Sequence, residues 1–440
     1  MSFDAGQNED GSSTTAGGLA RPPDLHLRWW ILVLLAIGVM ISFVDRTSVS
    51  AALAVPAFKA HFGLSDLARG WVNSAFFWSY ALLQVPLGWV VDRYGVKWPY
   101  AICFAVWCAA TAAIGLVGSL AALIAMRLVV GAMEAIVVPA SWRWIRTHYA
   151  EKESGTAVGI YILGTKIGPA IGTPIAAWLI VVADWRAMFF VVGLAGLVWL
   201  IPWLLMVSSD VPDRRGGVDP IRESPAPTAL RLLTSPLVWG TLIVNFCYNY
   251  FTFFCMTWMP AYLVEQRGLS LERMGLYAFF SFAGIAVVAI AAGWAADRLI
   301  AAGRDPVVVR KTFTITGFAI ASTVVLGAHA TDVNTALFWN VASLSGLGLA
   351  TANYLTLCRL TLVPASAVGV VTGLQQVATA IAGIVAPLTT GWLLHIGGDY
   401  SLPIDAIFVF LVIGGVTTAV LLSRRFSLRT VDAMQGTRAS

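Results

Sequence analysis

Apolar runs of about twenty residues, separated by short polar breaks, recur twelve times between positions 29 and 423. A helix rises about 1.5 Å per residue, so each run can cross the ~30 Å hydrocarbon core of a bilayer. The runs contain Gly and Pro and lack the strict alternation of barrel strands. Helices and closed barrels alone satisfy every backbone group in lipid, so these runs are predicted to be helices. Charge content agrees: 12% of the 440 residues are charged and 58% are hydrophobic, against about 25% charged in soluble domains. A chain so poor in charge cannot cover its own surface in water, and the lipid bilayer is its solvent.

The spans are placed at 29–52, 68–91, 98–118, 119–142, 154–182, 186–208, 236–264, 272–295, 309–329, 334–358, 367–395 and 403–423. Residues 209–235 interrupt the pattern with several charges and four prolines, the composition of a linker. The expected organisation is a tail over 1–28, a six-helix bundle over 29–208, the linker, a second bundle over 236–424, and a tail over 425–440. The first 28 residues are rich in Gly, Ser and Thr and lack the basic and short apolar regions of a signal peptide, so a disordered tail is expected rather than a cleaved leader.

Net charge is +5 and the isoelectric point about 9.0, which raises the question of nucleic acid. The distribution excludes that role. Of 28 Lys and Arg residues, 20 fall on the side of the termini, and five (Lys59, Arg69, Arg186, Arg267, Arg273) on the other. This bias places both termini in the cytoplasm, and a bacterial inner membrane is the expected site. The five cysteines, Cys103, Cys108, Cys247, Cys255 and Cys358, all sit in apolar segments and read as reduced core residues.

Two loops share one frame. After span 2 the chain reads GWVVDRYGVK (88–97), and after span 8 it reads GWAADR (293–298). One copy alone reads as a helix end with a capping acid; two copies at equivalent places indicate an internal repeat, with a substrate path at the repeat interface. The loop resembles the signature of the major facilitator superfamily. That resemblance implies two pseudo-symmetric six-helix bundles. It also implies gating roles for Gly88, Asp92, Arg93, Gly95, Lys97, Asp297 and Arg298.

Three basic and two acidic residues lie inside spans: Asp45 and Arg46 in span 1, Arg127 and Glu134 in span 4, and Lys166 in span 5. A charge at mid-membrane costs about 2.5–3.5 kcal/mol on insertion scales, so each is a functional candidate. Asp45 and Arg46 are adjacent and point about 100° apart on a helix, so each can find a different partner. Arg127 and Glu134, seven residues apart, share one stripe, and Gly131 between them admits a close backbone neighbour. Lys166 is too far from either span end to snorkel. It must face a wet cavity or a carboxylate, so binding an anion and neutralising Glu134 are both open. The second half offers uncharged polar residues: Asn245, Tyr248, Asn249 and Tyr250, then Asn353, Gln375 and Gln376.

The Asp-Arg pair, R-x-x-x-G-x-x-E in span 4, TWMPAYL (257–263) and GLSLERMG (268–275) are similar to the anion:cation symporter family, over Trp30 to Arg425. Members move organic anions, often sugar acids or other carboxylates, with protons or sodium. The resemblance implies that Arg46 holds the substrate carboxylate, that Asp45 and Glu134 carry protons, and that Arg127 links the two acids. Tyr80 and Gln84 would complete the site, with Tyr161, Asn245, Asn249, Tyr250, Asn353, Gln375 and Gln376 as further candidate ligands. Lys166 departs from the family, which usually has a small or amide residue there, and a second cation beside Arg46 points to a dicarboxylate or a more acidic anion. Span 5 also matches G-x8-G-x3-G-P-x2-G at Gly155, Gly164, Gly168, Pro169 and Gly172, a spacing associated with drug:proton antiporters. Proton-coupled uptake of an organic anion is therefore the expectation, with proton-coupled export of amphipathic compounds as the alternative. A membrane-embedded enzyme is disfavoured because the five histidines lie in loops or near span ends and no HExxH or GxSxG occurs. A channel lacks a repeated acidic filter. No cofactor or metal is expected, and a monomer is.

Overall fold

The computed structural model describes residues 25–208 and 232–428. The expectations for the tails and most of the linker fall on residues outside these. Among the described residues, eleven helices are long and apolar enough to cross a membrane. The twelfth crossing is α4, Lys97–Ala113, whose 17 residues are extended by hydrogen-bonded turns as far as Val117.

The first half comprises α1 (Leu25–Leu53), the short α2 (Pro56–Phe62), α3 (Asp66–Tyr94), α4, α5 (Leu120–Glu134), α6 (Val137–His148), α7 (Glu151–Val182), α8 (Trp185–Val198) and α9 (Leu200–Met206). The second comprises α10 (Pro236–Thr257), α11 (Met259–Glu265), α12 (Leu271–Ala301), α13 (Pro306–Ala321), α14 (Val324–His329), α15 (Val333–Thr356), α16 (Ala365–Gly397) and α17 (Ser401–Val420). Spans 4, 6, 7 and 9 are thus each built from two consecutive helices. A π-helical turn, Leu357–Thr361, follows α15. All five cysteines are buried free thiols.

Glycine sets the closest approaches. On α7, Gly164, Gly168 and Gly172 form a stripe at four-residue spacing against α1. A Cβ on Gly164 would lie 2.3 Å from the Ala36 carbonyl, and one on Gly168 2.7 Å from that of Met40. Only residues without side chains allow helix axes this close. Gly131 does the same for α5 on α3, where a Cβ would meet the Phe76 carbonyl at 2.1 Å. Outward-facing Trp30, Trp89, Trp98, Trp178, Trp294 and Trp392 are all more than half exposed, as side chains against lipid and its interface are.

The halves meet on the face opposite the termini. There α3 packs on α16, and α7 on α12. Asn73 donates to the Thr257 carbonyl at 3.3 Å and Ser74 to the Ile384 carbonyl at 3.1 Å. Arg69, 3% exposed, pairs with Asp66 at 3.1 Å and with Glu265 of the other half at 3.0 Å. Lys59 reaches the same Glu265 at 2.5 Å, and the Tyr400 hydroxyl donates to it at 2.7 Å. Toward the termini the halves part around a vestibule of about 710 Å³ between Gln84, Pro139 and Trp142 on one side and Thr356, Arg359, Thr372 and Gln376 on the other.

Candidate functional site

Packing α7 on α1 and α5 on α3 brings the mid-membrane charges of the first half together. Arg46 donates from Nε to Glu134 Oε2 at 2.9 Å, although 88 positions separate them. The Arg46 guanidinium lies over the rings of Phe43, Phe76 and Tyr80, with centroids 4.6, 4.7 and 4.9 Å away, so cation–π attraction supports it where water is scarce. Glu134 is fully buried and α5 ends at it, the chain turning before α6 resumes at Val137.

Arg127 departs from the expectation that it links the two acids. Arg127 is 2% exposed, lies 5.0 Å from the Phe76 ring centroid and donates to the Val72 carbonyl at 3.4 Å. It forms an ion pair with neither acid; Arg46 takes that place on Glu134. The reason is geometric: the close Gly131 contact carries Arg127 onto the α3 backbone. Asp45, 1% exposed, is in no ion pair among the described residues. Beside it lies the Trp107 indole N–H, a hydrogen-bond donor within reach of the carboxyl. A buried carboxylate without a cationic partner is costly.

A cavity of about 210 Å³ opens beside the cluster, between the two halves. From the first half it is lined by Phe43, Arg46, Phe77, Tyr80, Gln84, Thr165, Lys166 and Pro169. From the second it is lined by Tyr248, Asn249, Thr252, Phe253, Met256, Phe282, Ile285, Gln376, Thr379 and Ala380. Gln84 and Gln376 also line the vestibule, so the two spaces adjoin. Lys166 has no carboxylate partner among the described residues. Of its two open readings, neutralising Glu134 does not occur.

The structure thus gathers Arg46, Lys166, Tyr80, Gln84, Asn249 and Gln376 on one cavity. It does not bring the other five candidate ligands there. Tyr161 is buried behind the site, its hydroxyl unpartnered. Asn245 bridges helices, donating to the Gln375 carbonyl and Thr379 Oγ1, both at 2.7 Å, and accepting from Tyr354 at 3.0 Å. Tyr250 turns the other way on α10, against Phe246 and Phe410. Asn353 donates to the Leu349 carbonyl and accepts from Arg310. Gln375 accepts from Arg359 Nε at 2.6 Å. Each of these five lies inside a bundle rather than on the cavity. The cavity residues absent from the sequence reading are Thr165, Thr252, Thr379 and the apolar wall. Helical spacing carries the missed signal: Tyr248, Thr252 and Met256 repeat every four residues beside Asn249, whereas Tyr250 stands about 200° from Tyr248.

The repeated loops lie at the termini face. Asp92 accepts from Arg143 at 3.2 Å, and Arg143 also donates to the Val91 carbonyl at 2.8 Å. Gly95 closes α3 with φ 81°, a conformation that favours glycine. Gly88 packs toward Pro139, Arg93 lies beside Trp89 and Tyr94, and the Lys97 carbonyl accepts from Trp203. In the second half Asp297 accepts from Arg310 at 2.9 Å and Arg298 lies over Trp294. Both aspartates pair inside their own half.

Residues 35–387 match the family model of the Major Facilitator Superfamily. The chain belongs to the major facilitator superfamily. It is a multi-pass membrane transporter and not an enzyme. Within the superfamily it is 28% identical to a D-galactonate transporter of Escherichia coli O6:H1, over 83% of this chain and 89% of that one. It is 26% identical to a probable galactarate/D-glucarate transporter of Bacillus subtilis, over 91% and 94%. The resemblance to anion:cation symporters agrees with these relatives. Among solved structures, a bacterial homologue of the human lysosomal transporter Spinster, crystallised in an inward-facing and unoccupied conformation, shares the fold. Its TM-score is 0.72 at 19% identity, covering 92% of this chain and 98% of that one.

Proposed function

We propose that this transporter takes up an organic anion, a sugar acid or another carboxylate, together with protons, by alternating access. The observation that carries this reading is the Arg46–Glu134 pair, with a buried Asp45 beside it that is in no ion pair among the described residues, at the edge of a cavity between the halves. The named substrates of the relatives, galactonate and galactarate or glucarate, are polyhydroxylated acids. Arg46 supplies the cation for a carboxylate. Tyr80, Gln84, Asn249, Thr252, Gln376 and Thr379 supply donors and acceptors for hydroxyls.

With the termini taken as cytoplasmic, the vestibule opens inward and the Arg69–Glu265 network closes the outside. A proton on Glu134 removes one charge of its pair and releases Arg46 Nε for the substrate; a proton on Asp45 ends the desolvation of an unpaired charge. Deprotonation toward the cytoplasm reforms the pair and displaces the carboxylate. Asp92, Arg93, Gly95, Lys97 and Gly88, with Asp297 and Arg298, then act where the vestibule must close when the outside opens.

The test is uptake into proteoliposomes under an imposed pH gradient. Glu134→Gln is expected to abolish proton-driven accumulation while leaving substrate exchange. Unchanged pH-dependent accumulation in that variant, with exchange intact, overturns the coupling. A second reading, export of amphipathic compounds, rests on the apolar wall of Phe43, Phe77, Phe253, Met256 and Phe282. It requires drug hypersensitivity in a deletion strain, whereas anion uptake requires growth defects on a carboxylate.

A further inference from the structure

We propose that Lys166 sets the valence of the cargo, so that the cavity is built for a doubly charged organic anion rather than a singly charged one. This rests on the organic-anion reading above. The charged side chains at mid-membrane are Asp45, Arg46, Arg127, Glu134 and Lys166; with both acids ionised, four of them cancel and Lys166 alone is left over. Arg46 is already engaged with Glu134 at 2.9 Å. Lys166, from α7, lines the same cavity with no carboxylate partner among the described residues. An uncompensated cation at this depth is expensive, and its compensation must come from what enters the cavity.

Charge balance then connects cargo to coupling. A singly charged anion neutralises the five groups without any proton and leaves the acids nothing to respond to. A doubly charged anion leaves one negative charge, which one proton on Glu134 or Asp45 cancels. In a chain with a neutral residue at 166, a singly charged anion and one proton would give the same balance. Lys166 therefore shifts the substrate by one charge while the coupling acids stay the same. The two anionic ends have separate cations on the first-half wall, Arg46 on α1 and Lys166 on α7, and the second-half wall offers neutral amides and hydroxyls such as Asn249 and Gln376 to the chain between them.

The experiment measures binding to the purified full-length protein of two matched pairs: D-galactonate with galactarate, and butyrate with succinate. Within each pair the molecules are of equal carbon number and differ by one carboxylate. Wild type is expected to bind the doubly charged member about tenfold tighter or more, the range of one hydrogen-bonded charge pair. Lys166→Gln is expected to erase that preference by weakening the doubly charged member about tenfold more than the singly charged one, and Lys166→Arg to retain the preference. Equal affinities in wild type, or an equal loss for both members in Lys166→Gln, overturn the proposal and leave the organic-anion reading standing. Failure of all four anions to bind wild type overturns that reading itself.

Discussion

Arg69 and Glu265 meet at 3.0 Å on the face opposite the termini, one from each half of the chain. Their contact is the centre of a closure that also holds Lys59, Asp66 and Tyr400. Removing the Glu265 charge leaves the buried Arg69 with Asp66 as its one carboxylate among the described residues. Glu265→Gln is expected to weaken the closure by about 1–2 kcal/mol, allowing for its partial exposure. That is a shift of roughly five- to thirtyfold toward the state open on this face. Labelling of a cysteine placed at Ser74, which lies on the cross-half contact, reads it out; an unchanged labelling rate contradicts the assignment.

The same network predicts a pH dependence. Burial alone would raise the Glu265 carboxyl, but Arg69, Lys59 and Tyr400 outweigh it and hold it below the ordinary value of 4.5. For a lowered acid, the stabilisation is complete above the ordinary value and is lost as pH falls through the lowered one. Closure of this face should therefore be flat from about pH 5 to 8 and weaken only in stronger acid. Labelling across that range checks it, and a midpoint near neutrality would point to another group.

Arg46 does two things that lysine cannot do at once: it donates from Nε to Glu134 and lies flat among Phe43, Phe76 and Tyr80. Arg46→Lys keeps the charge and loses the fork and the stacking. Uptake kcat/KM is expected to fall by about 10- to 100-fold, the worth of one charged hydrogen bond, with the protein still folded by thermal unfolding.

The α1–α7 contact is tested by stability. Gly168→Ala would put a Cβ 2.6 Å from that of Phe43 and 2.7 Å from the Met40 carbonyl, whereas a Cβ on Gly155 meets nothing within 4 Å. Gly168→Ala should cost about 1–3 kcal/mol and Gly155→Ala should be neutral or slightly stabilising. Thermal unfolding in one detergent compares the two directly; equal effects would remove the stripe from consideration.

Asp92 is paired with Arg143 but 67% exposed, and Asp297 with Arg310 is 70% exposed. Exposed pairs contribute about 0–1 kcal/mol. Asp92→Asn is therefore expected to leave the unfolding temperature nearly unchanged while slowing transport, if its partner changes when the vestibule closes. A parallel loss of stability and rate would make the loop merely structural.

The twelve crossings, the repeated loop and the five mid-span charges were legible in the chain because each depends on local quantities: run length, spacing and the cost of charge in lipid. Periodicity also tells which residues share a face, so Tyr248 and Thr252 could have been grouped and Tyr250 set apart. Which face meets which helix is another matter. The pairing of Arg46 with Glu134 across 88 positions, the diversion of Arg127 to the Val72 carbonyl and the burial of Gln375 beside a cavity-lining Gln376 all depend on which helices pack together, which no local spacing encodes. Lys166 shows the division best. The sequence by itself determined that a lysine stands at mid-membrane and must find either water or a carboxylate. Only the packing of α7 on α1, with the second half apposed, decided that it lines a cavity with no acid of its own.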